Sequence, residues 1–418
     1  MRSNLYANML KMFSGSAMSQ LSWMLSMMVL TRYYAPEDFA LYQMFVTLVS
    51  ICTIFSTAKY EMAIIVPRYR WQSMQLLGVC LSLAMVVAVA LQLLVFVTDC
   101  LGVIDYSWIY YCLPMCIVFV SFYNSFYVWY VREKSYSFLS LVLVIYPIVN
   151  FAVAMCLYFL EIELGTNLII ALIVARLFEI IMFAVYFSKH NKVDARLFYP
   201  SSLIDCMKSY KDFPKYMIVG SFLNDVSYAI PVYGLNFCYG ADIAGYYSIT
   251  MQAMAAPSAL VAKSVGDVFR QGISVLYNRR SGCIDFFQEN MYLLMKISFG
   301  IALIIFFLGP DLYSLVFGEE WRLSGELARY MLPMVCVSLV ASPLSNIFVV
   351  AGRQDKYLII QFLYFLVGII AFVVGWYFSF SYEYTIIFYS VAMCIVSISG
   401  LFYGRCLAKS VGYGVFER

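Results

Sequence analysis

Four ionisable side chains lie deep inside long apolar segments of this sequence. Arg176 and Glu179 share one segment, Asp225 lies in a second, and Lys296 in a third. A charge near the middle of a bilayer costs about 2.5–3.5 kcal/mol on insertion scales, so each is a candidate functional group. No nucleophile is arranged near them and the chain has one histidine, so the chemistry they indicate is binding or ion coupling rather than bond cleavage.

Each of these charges also has a structural interpretation. Arg176 and Glu179 are three residues apart, which allows an ion pair on one helix. Asp225 follows Asn224 and has no partner on its own helix, which favours a lumenal or ion-coupling carboxylate. Lys296 also lacks a nearby partner on its helix, so a pair between Lys296 and Asp225 is one alternative.

A second set of charges lies near the inner ends of two apolar segments. Lys59 and Glu61 follow the second segment, and Lys263 and Asp267 end the eighth. We interpret them as charged pairs at the inner mouth of a cavity. The competing interpretation is that Lys263 and Asp267 pair within one helix and that both lysines extend to the membrane surface.

Polar residues also form a stripe on the second apolar segment, at spacings of three, four and seven. A polar stripe on a membrane-spanning helix should face another helix or a wet cavity rather than lipid. We expect Gln43 in the first half of the chain, and Gln252 in the second, to face water. The stripe consists of Gln43, Thr47, Ser50, Thr57 and Glu61.

Long helices must position these groups. Hydrophobic residues make up 63% of the chain and charged residues 12%, which is typical of an integral membrane protein. The apolar runs are about twenty residues long and show no strand alternation, so they predict membrane-spanning helices. We predict twelve spans: Met9–Tyr33, Phe39–Ala58, Met74–Val97, Trp108–Val131, Phe138–Leu160, Leu168–Phe187, Tyr216–Tyr239, Ile243–Phe269, Phe286–Leu308, Leu327–Ala351, Tyr357–Phe378 and Tyr384–Cys406.

Lysine and arginine are distributed unevenly between the two sides of this arrangement. With a cytoplasmic N-terminus, nearly all of them fall in cytoplasmic segments, and only Arg32, Arg322 and Arg329 lie on the opposite side. The positive-inside rule therefore predicts that both termini are cytoplasmic.

Most of the 12 cysteines lie inside spans, so we expect neither a disulfide framework nor a metal site.

The spans divide into two groups of six. We predict an N-terminal lobe over residues 1–187, a basic cytoplasmic linker over 188–215 and a C-terminal lobe over 216–418. A short repeat supports a duplication, because residues 34–42 align with residues 239–247 at one constant offset. The predicted fold is all-α and polytopic, with twelve transmembrane helices in two pseudo-symmetric six-helix lobes around a central cavity.

Several segments resemble a known family when read in order. They are the RYYAPEDFALY turn at 32–42, the KYEMAIIVP segment at 59–67, Lys211–Lys215, Gly240–Tyr247 with Gln252, and the FGEE segment at 317–320. Together they resemble the polysaccharide-export branch of the MOP superfamily, and most closely its Wzx-type O-antigen flippases. The resemblance places Arg32 and Asp38 near a functional arginine and aspartate of related lipid II flippases.

The resemblance implies a transporter and not an enzyme. Its substrate would be an undecaprenyl-pyrophosphate-linked oligosaccharide, such as an O-antigen or related surface-glycan repeat unit, moved from the cytoplasmic to the periplasmic leaflet by alternating access. It implies no resident cofactor, with H⁺ or Na⁺ as the coupling ion if there is one. It also implies a bacterial inner-membrane location, contact with membrane lipids, a polymerase and a chain-length regulator as partners, and no nucleic acid.

Three other classes remain open from the sequence. One is a cation-coupled multidrug exporter of the same superfamily, although two basic and two acidic deep groups do not form an acid-dominated cavity. A second is a membrane polysaccharide polymerase or glycosyltransferase, which usually carries catalytic groups on a large external loop that this sequence lacks. The third is a passive lipid scramblase.

Overall fold

The computed structural model describes residues 2–102, 108–161, 164–191, 199–279 and 283–410. Within these ranges the chain is helical. Twelve long helices are present: α1 (Arg2–Leu30), α2 (Pro36–Ser56), α3 (Arg70–Cys100), α4 (Trp108–Arg132), α5 (Tyr136–Phe159), α6 (Leu164–His190), α8 (Asp212–Tyr239), α9 (Ala241–Arg279), α10 (Cys283–Phe317), α11 (Arg322–Leu344), α13 (Gln354–Tyr377) and α14 (Tyr382–Ser410).

The predicted all-α fold is confirmed, and eleven of the twelve predicted spans each fall on one long helix. Nine segments in the described ranges are long and apolar enough to cross a membrane. The three other predicted spans are α1, α8 and α9, which carry more polar residues. The tenth predicted span divides into α11 and a short helix α12 (Asn346–Val350).

The end of the second predicted span differs from the expectation. Helix α2 stops at Ser56, and Ala58 and Lys59 both take left-handed backbone conformations, with φ of 47° and 59°. A short 3-10 helix, Tyr60–Ile65, follows. The chain therefore leaves the α2 axis before Glu61, so the prediction that Glu61 continues the polar stripe of α2 is wrong.

The chain divides into two compact units. The first contains residues 1–34 and 41–226, and the second contains residues 35–40 and 227–418. In the first unit, α1 packs on α5, α3 on α4, and α5 on α6. One of its cores surrounds Trp129, Tyr130 and Phe183, which are all buried.

The segment predicted as a linker contains helix structure. Helix α6 continues to His190, helix α7 spans Pro200–Ser209, and α8 begins at Asp212. Helix α7 packs on α3: its Cys206 is buried, and Ser202 accepts a 2.5 Å hydrogen bond from the Gln75 amide. The Tyr60 hydroxyl also donates to the Met207 carbonyl oxygen at 3.1 Å. The predicted linker boundaries themselves stay a prediction.

The second unit is built around α11, which packs against α9, α10 and α14. Gly309 and Gly325 bring α10 and α11 into backbone contact, because a Cβ at Gly325 would lie 2.5 Å from the Gly309 carbonyl oxygen. The Trp321 ring lies 5.3 Å from the Phe39 ring and 5.6 Å from the Tyr246 ring. These contacts join the residue 35–40 segment to the rest of its unit.

Candidate functional site

Arg176 is the best-organised of the predicted site residues. Its guanidinium carbon lies 4.7 Å from the centre of the Tyr123 ring and 4.0 Å from the centre of the Tyr146 ring. Tyr123 comes from α4 and Tyr146 from α5, while Arg176 is on α6. Aromatic contact on this scale stabilises a guanidinium and restricts its orientation. The cation is therefore positioned by three helices of the first unit.

Glu179 completes this cluster from the same helix. Its Oε2 accepts a hydrogen bond from Arg176 Nη1 at 2.6 Å. The Arg176 side chain retains 19% of its exposure, whereas the Glu179 side chain retains 1%. The Arg176 side chain is thus partly exposed, whereas the Glu179 side chain is sealed.

The guanidinium keeps donor capacity beyond the Glu179 contact. Its Nε–H is buried without a hydrogen-bond partner among the described residues. The side chains of Tyr42 and Tyr146 interact, which adds α2 to the wall around the cluster. We name Arg176, Glu179, Tyr123, Tyr146 and Tyr42 the arginine cluster.

Asp225 lies in a second polar contact of the first unit. One carboxylate oxygen accepts from the Ser50 hydroxyl at 2.7 Å, and the other accepts from the Asn224 amide at 3.2 Å. Ser50 belongs to the predicted polar stripe, as does Thr47, whose hydroxyl donates back to the Gln43 carbonyl oxygen at 3.0 Å. The stripe was expected to face either another helix or a wet cavity, and at Ser50 it faces helix α8.

Lys59 and Glu61 form an ion pair at the start of the 3-10 helix that follows α2. Their side chains approach to 3.7 Å, between Lys59 Nζ and Glu61 Oε1. Glu61 is 2% exposed, and its Oε2 is buried without a hydrogen-bond partner in the described part of the chain. The left-handed turn at Ala58 and Lys59 creates this proximity.

Arg32 and Asp38 have different surroundings. Arg32 follows the end of α1 and is exposed. Asp38 is buried, and its Oδ2 accepts a 3.0 Å hydrogen bond from the Ala35 backbone N–H, while the Asp38 N–H donates to the Ala35 carbonyl oxygen. The Asp38 side chain thus supplies the half of a capping box that reaches back to the N-cap N–H at the start of α2.

The remaining predicted site residues lie outside the arginine cluster and the Asp225 contacts. Lys296 is exposed on α10, on the same face as the exposed Tyr292, Phe299 and Leu303 and opposite the buried Leu294. Gln43 and Gln252 are half-buried on α2 and α9. The side chains of Lys263 and Asp267 lie outside the described residues.

Sequence reasoning missed the tyrosines that hold Arg176. Tyr42, Tyr123 and Tyr146 lie on three different helices, so no local spacing links them to Arg176. The chain contains 36 tyrosines, and most were expected at the membrane interface. The missing signal is the register between neighbouring helices, which the sequence pattern does not specify.

Solved structures with the same fold are transporters. The chain is similar to an inward-facing multidrug resistance MATE family transporter of the MOP superfamily, with a TM-score of 0.73, 13% identity and coverage of 95% of this chain and 96% of that one. It is also similar to a MOP superfamily transporter from Pyrococcus furiosus, with a TM-score of 0.62, 14% identity and coverage of 97% and 96%. At this identity the likeness shows the two-lobed MOP fold alone.

Sequence comparisons identify the family. A search of curated proteins gives no significant match. The family model described as "Polysaccharide biosynthesis protein" matches residues 29–325, which is more than half of the chain and includes every member of the arginine cluster. The chain is therefore a multi-pass membrane protein of the MOP transporter fold, and it belongs to the polysaccharide biosynthesis protein family.

Proposed function

We propose that this protein is a Wzx-type flippase that moves an undecaprenyl-pyrophosphate-linked oligosaccharide from the cytoplasmic to the periplasmic leaflet of the bacterial inner membrane. The observation that carries the proposal is the arginine cluster, inside a chain whose family is named for polysaccharide biosynthesis. The substrate, its direction of movement and the membrane are all parts of this proposal.

The physics of the substrate explains why such a group is needed. A polyprenyl tail gains about 0.8 kcal/mol for each CH₂ buried in lipid, so it stays in the bilayer. The pyrophosphate and the sugars are the parts that need shelter. A guanidinium is suited to the pyrophosphate, because its N–H donors match pairs of phosphate oxygens.

The arginine cluster meets these requirements within one lobe. The two tyrosine rings lie 4.7 Å and 4.0 Å from the guanidinium carbon, and the Arg176 side chain is partly exposed, so we expect it to be open to an anion. Tyrosine rings also offer stacking surfaces and hydroxyls to sugars. Asp225, with its hydroxyl and amide contacts, is the group we assign to coupling to H⁺ or Na⁺.

The alternative function is a cation-coupled multidrug exporter of the same superfamily. The structural neighbours described as MATE transporters share the fold, and the Pyrococcus furiosus protein is described as having a binding pocket of reverse polarity and a different function. A membrane polymerase or glycosyltransferase is the weaker alternative. The positive charge of Arg176 favours an anionic headgroup over a cationic drug.

Complementation of a flippase-null strain tests the proposal. We expect the wild-type gene to restore surface polysaccharide and Arg176→Ala to restore less than about a tenth of it, at equal protein level. Glu133→Gln is the matched control, because Glu133 pairs with Arg70 at an exposed site where the guanidinium also lies near an aromatic ring. Resistance to cationic drugs without any restored polysaccharide would favour the alternative.

A further inference from the structure

Glu179 has one cation to balance its charge. Within the described ranges, its only ion-pair partner is Arg176, at 2.6 Å. The other titratable groups around the pair are Tyr123 and Cys116 of α4, Tyr146 of α5 and Tyr42 of α2, and none of these supplies a positive charge. Among the residues that the structure describes, Arg176 is therefore the one cation that compensates Glu179.

An anion bound to Arg176 changes this balance. The Arg176 side chain is partly exposed and the Glu179 side chain is sealed, so we expect a phosphate to meet Arg176 first. Phosphate oxygens then compete with Glu179 for the same N–H donors. A buried carboxylate that loses its cation is strongly destabilised, and protonation is the ordinary way such a group loses its charge.

We infer that binding of a pyrophosphate headgroup to Arg176 is accompanied by uptake of one proton on the Glu179 carboxylate. The inference rests on the proposed function and adds the fate of a proton to it. The proton comes from the solvent and forms an O–H bond on Glu179, and no other bond is made or broken. Release of the anion returns Arg176 to Glu179 and the proton to water.

The scheme differs from exchange at this site. The proton and the anion occupy the protein together, whereas an exchanger loses its proton when its substrate binds. When no headgroup is bound, the Glu179 carboxylate takes the place of the ligand as the anion paired with Arg176.

Calorimetry on the purified full-length protein in detergent tests this inference. The probe is a short-prenyl pyrophosphate-linked sugar, whose diester has no group that titrates near neutral pH. Titration in two buffers with different ionisation enthalpies counts the protons taken up. We expect the wild type to take up about one proton for each ligand bound. In the pH range where Glu179 is ionised in the free protein, we expect its affinity to fall on the order of tenfold for each unit by which the pH is raised.

Glu179→Gln separates the carboxylate from the rest of the site. We expect this variant to bind the probe with no proton uptake and with an affinity that does not change with pH. Glu133→Gln should behave as the wild type. If Glu179→Gln does not fold, the infrared difference spectrum of the wild type replaces it, and a new carboxylic acid carbonyl band on ligand binding supports the inference.

The possible failures are distinguishable. Binding to the wild type without proton uptake, or with the same uptake in Glu179→Gln, overturns the inference and leaves the proposed function intact. Absence of that carbonyl band overturns it equally. No binding to the wild type, together with no flipping in vesicles, overturns the proposed function and the inference together.

Discussion

At the scale of single residues, Arg176 shows what geometry adds to a charge. Its i, i+3 spacing from Glu179 predicts an ion pair, and the pair is present at 2.6 Å. The two tyrosine rings around the guanidinium are not predictable from that spacing. They turn a helix-local pair into a site that three helices position.

Arg176→Lys tests whether the guanidinium shape matters. Lysine keeps the charge, but it lacks the planar fork that lies against Tyr123 and Tyr146. We expect Arg176→Lys to retain protein level and to lose at least about tenfold in probe affinity, measured by calorimetry. Affinity equal to the wild type would show that charge alone is sufficient at this position.

Asp38 is expected to contribute stability. Its carboxylate caps the first turn of α2, so Asp38→Ala should lower the free energy of unfolding by about 1 kcal/mol. The measurement is the thermal denaturation of the purified protein, with Arg32→Ala as the exposed control. An unchanged midpoint together with lost transport would instead support the functional role that the resemblance implies for Asp38.

At the scale of elements, the contact between α10 and α11 requires glycine. A Cβ at Gly325 would lie 2.5 Å from backbone atoms of Gly309 and Pro310, so one helix must move. We expect Gly325→Ala to cost about 1–3 kcal/mol, as overpacking usually does. Gly300→Ala on α10 is the control, because a Cβ there meets nothing within 4 Å and alanine favours a helix.

Both glycine variants are compared by thermal denaturation in the same detergent. Equal midpoints for Gly325→Ala and Gly300→Ala would mean that the two helices are farther apart than described. A higher midpoint for Gly300→Ala is consistent with the expectation.

Helix α7 makes a prediction about reactivity. Burial raises the pKa of the Cys206 thiol, so less thiolate is present near neutral pH. We expect Cys206 to react with a soluble maleimide at least about tenfold more slowly than Asp205→Cys, which is the adjacent and exposed position. Labelling is followed site by site by mass spectrometry. The Cys206 rate should rise with pH, and equal rates would show that α7 does not pack on α3.

The elements also show how far sequence reasoning extends. Spans were predictable because a bilayer demands long apolar helices. Helix α7 was not predicted, because its ten residues lie in a stretch interpreted as a basic linker. Its apolar side, formed by Leu203, Cys206 and Met207, is visible in the sequence as an i, i+3, i+4 pattern. The 3-10 helix after α2 was missed because two non-glycine residues, Ala58 and Lys59, take left-handed conformations.

At the scale of the whole molecule, the fold and the family follow from the sequence more directly than the site does. The sequence motifs between residues 32 and 320, taken in their order along the chain, resemble the polysaccharide-export branch of the MOP superfamily. The family match confirms that family. The site depends on register between helices. Lys296 illustrates this, because a lone charge in a span predicted a functional group and the structure places it on an exposed, largely apolar face.

Orientation is a prediction for the whole chain. The placement of lysine and arginine predicts that both termini are cytoplasmic. We expect a C-terminal green fluorescent protein fusion to fluoresce and a C-terminal alkaline phosphatase fusion to be inactive. The opposite pair of results would reverse the assignment of the inner and outer ends.

The most direct test of the account is translocation in reconstituted vesicles that contain a fluorescent undecaprenyl-pyrophosphate-linked oligosaccharide. A membrane-impermeant reagent quenches only headgroups in the outer leaflet, so the quenched fraction reports transfer between leaflets. With wild-type or Glu133→Gln protein, we expect the quenched fraction to exceed the fraction of headgroups that start in the outer leaflet. With Arg176→Ala protein, we expect it to stay near the value for protein-free vesicles. Equal transfer by wild-type and Arg176→Ala protein would contradict the assignment of the arginine cluster, and no transfer by the wild type would contradict the proposed function.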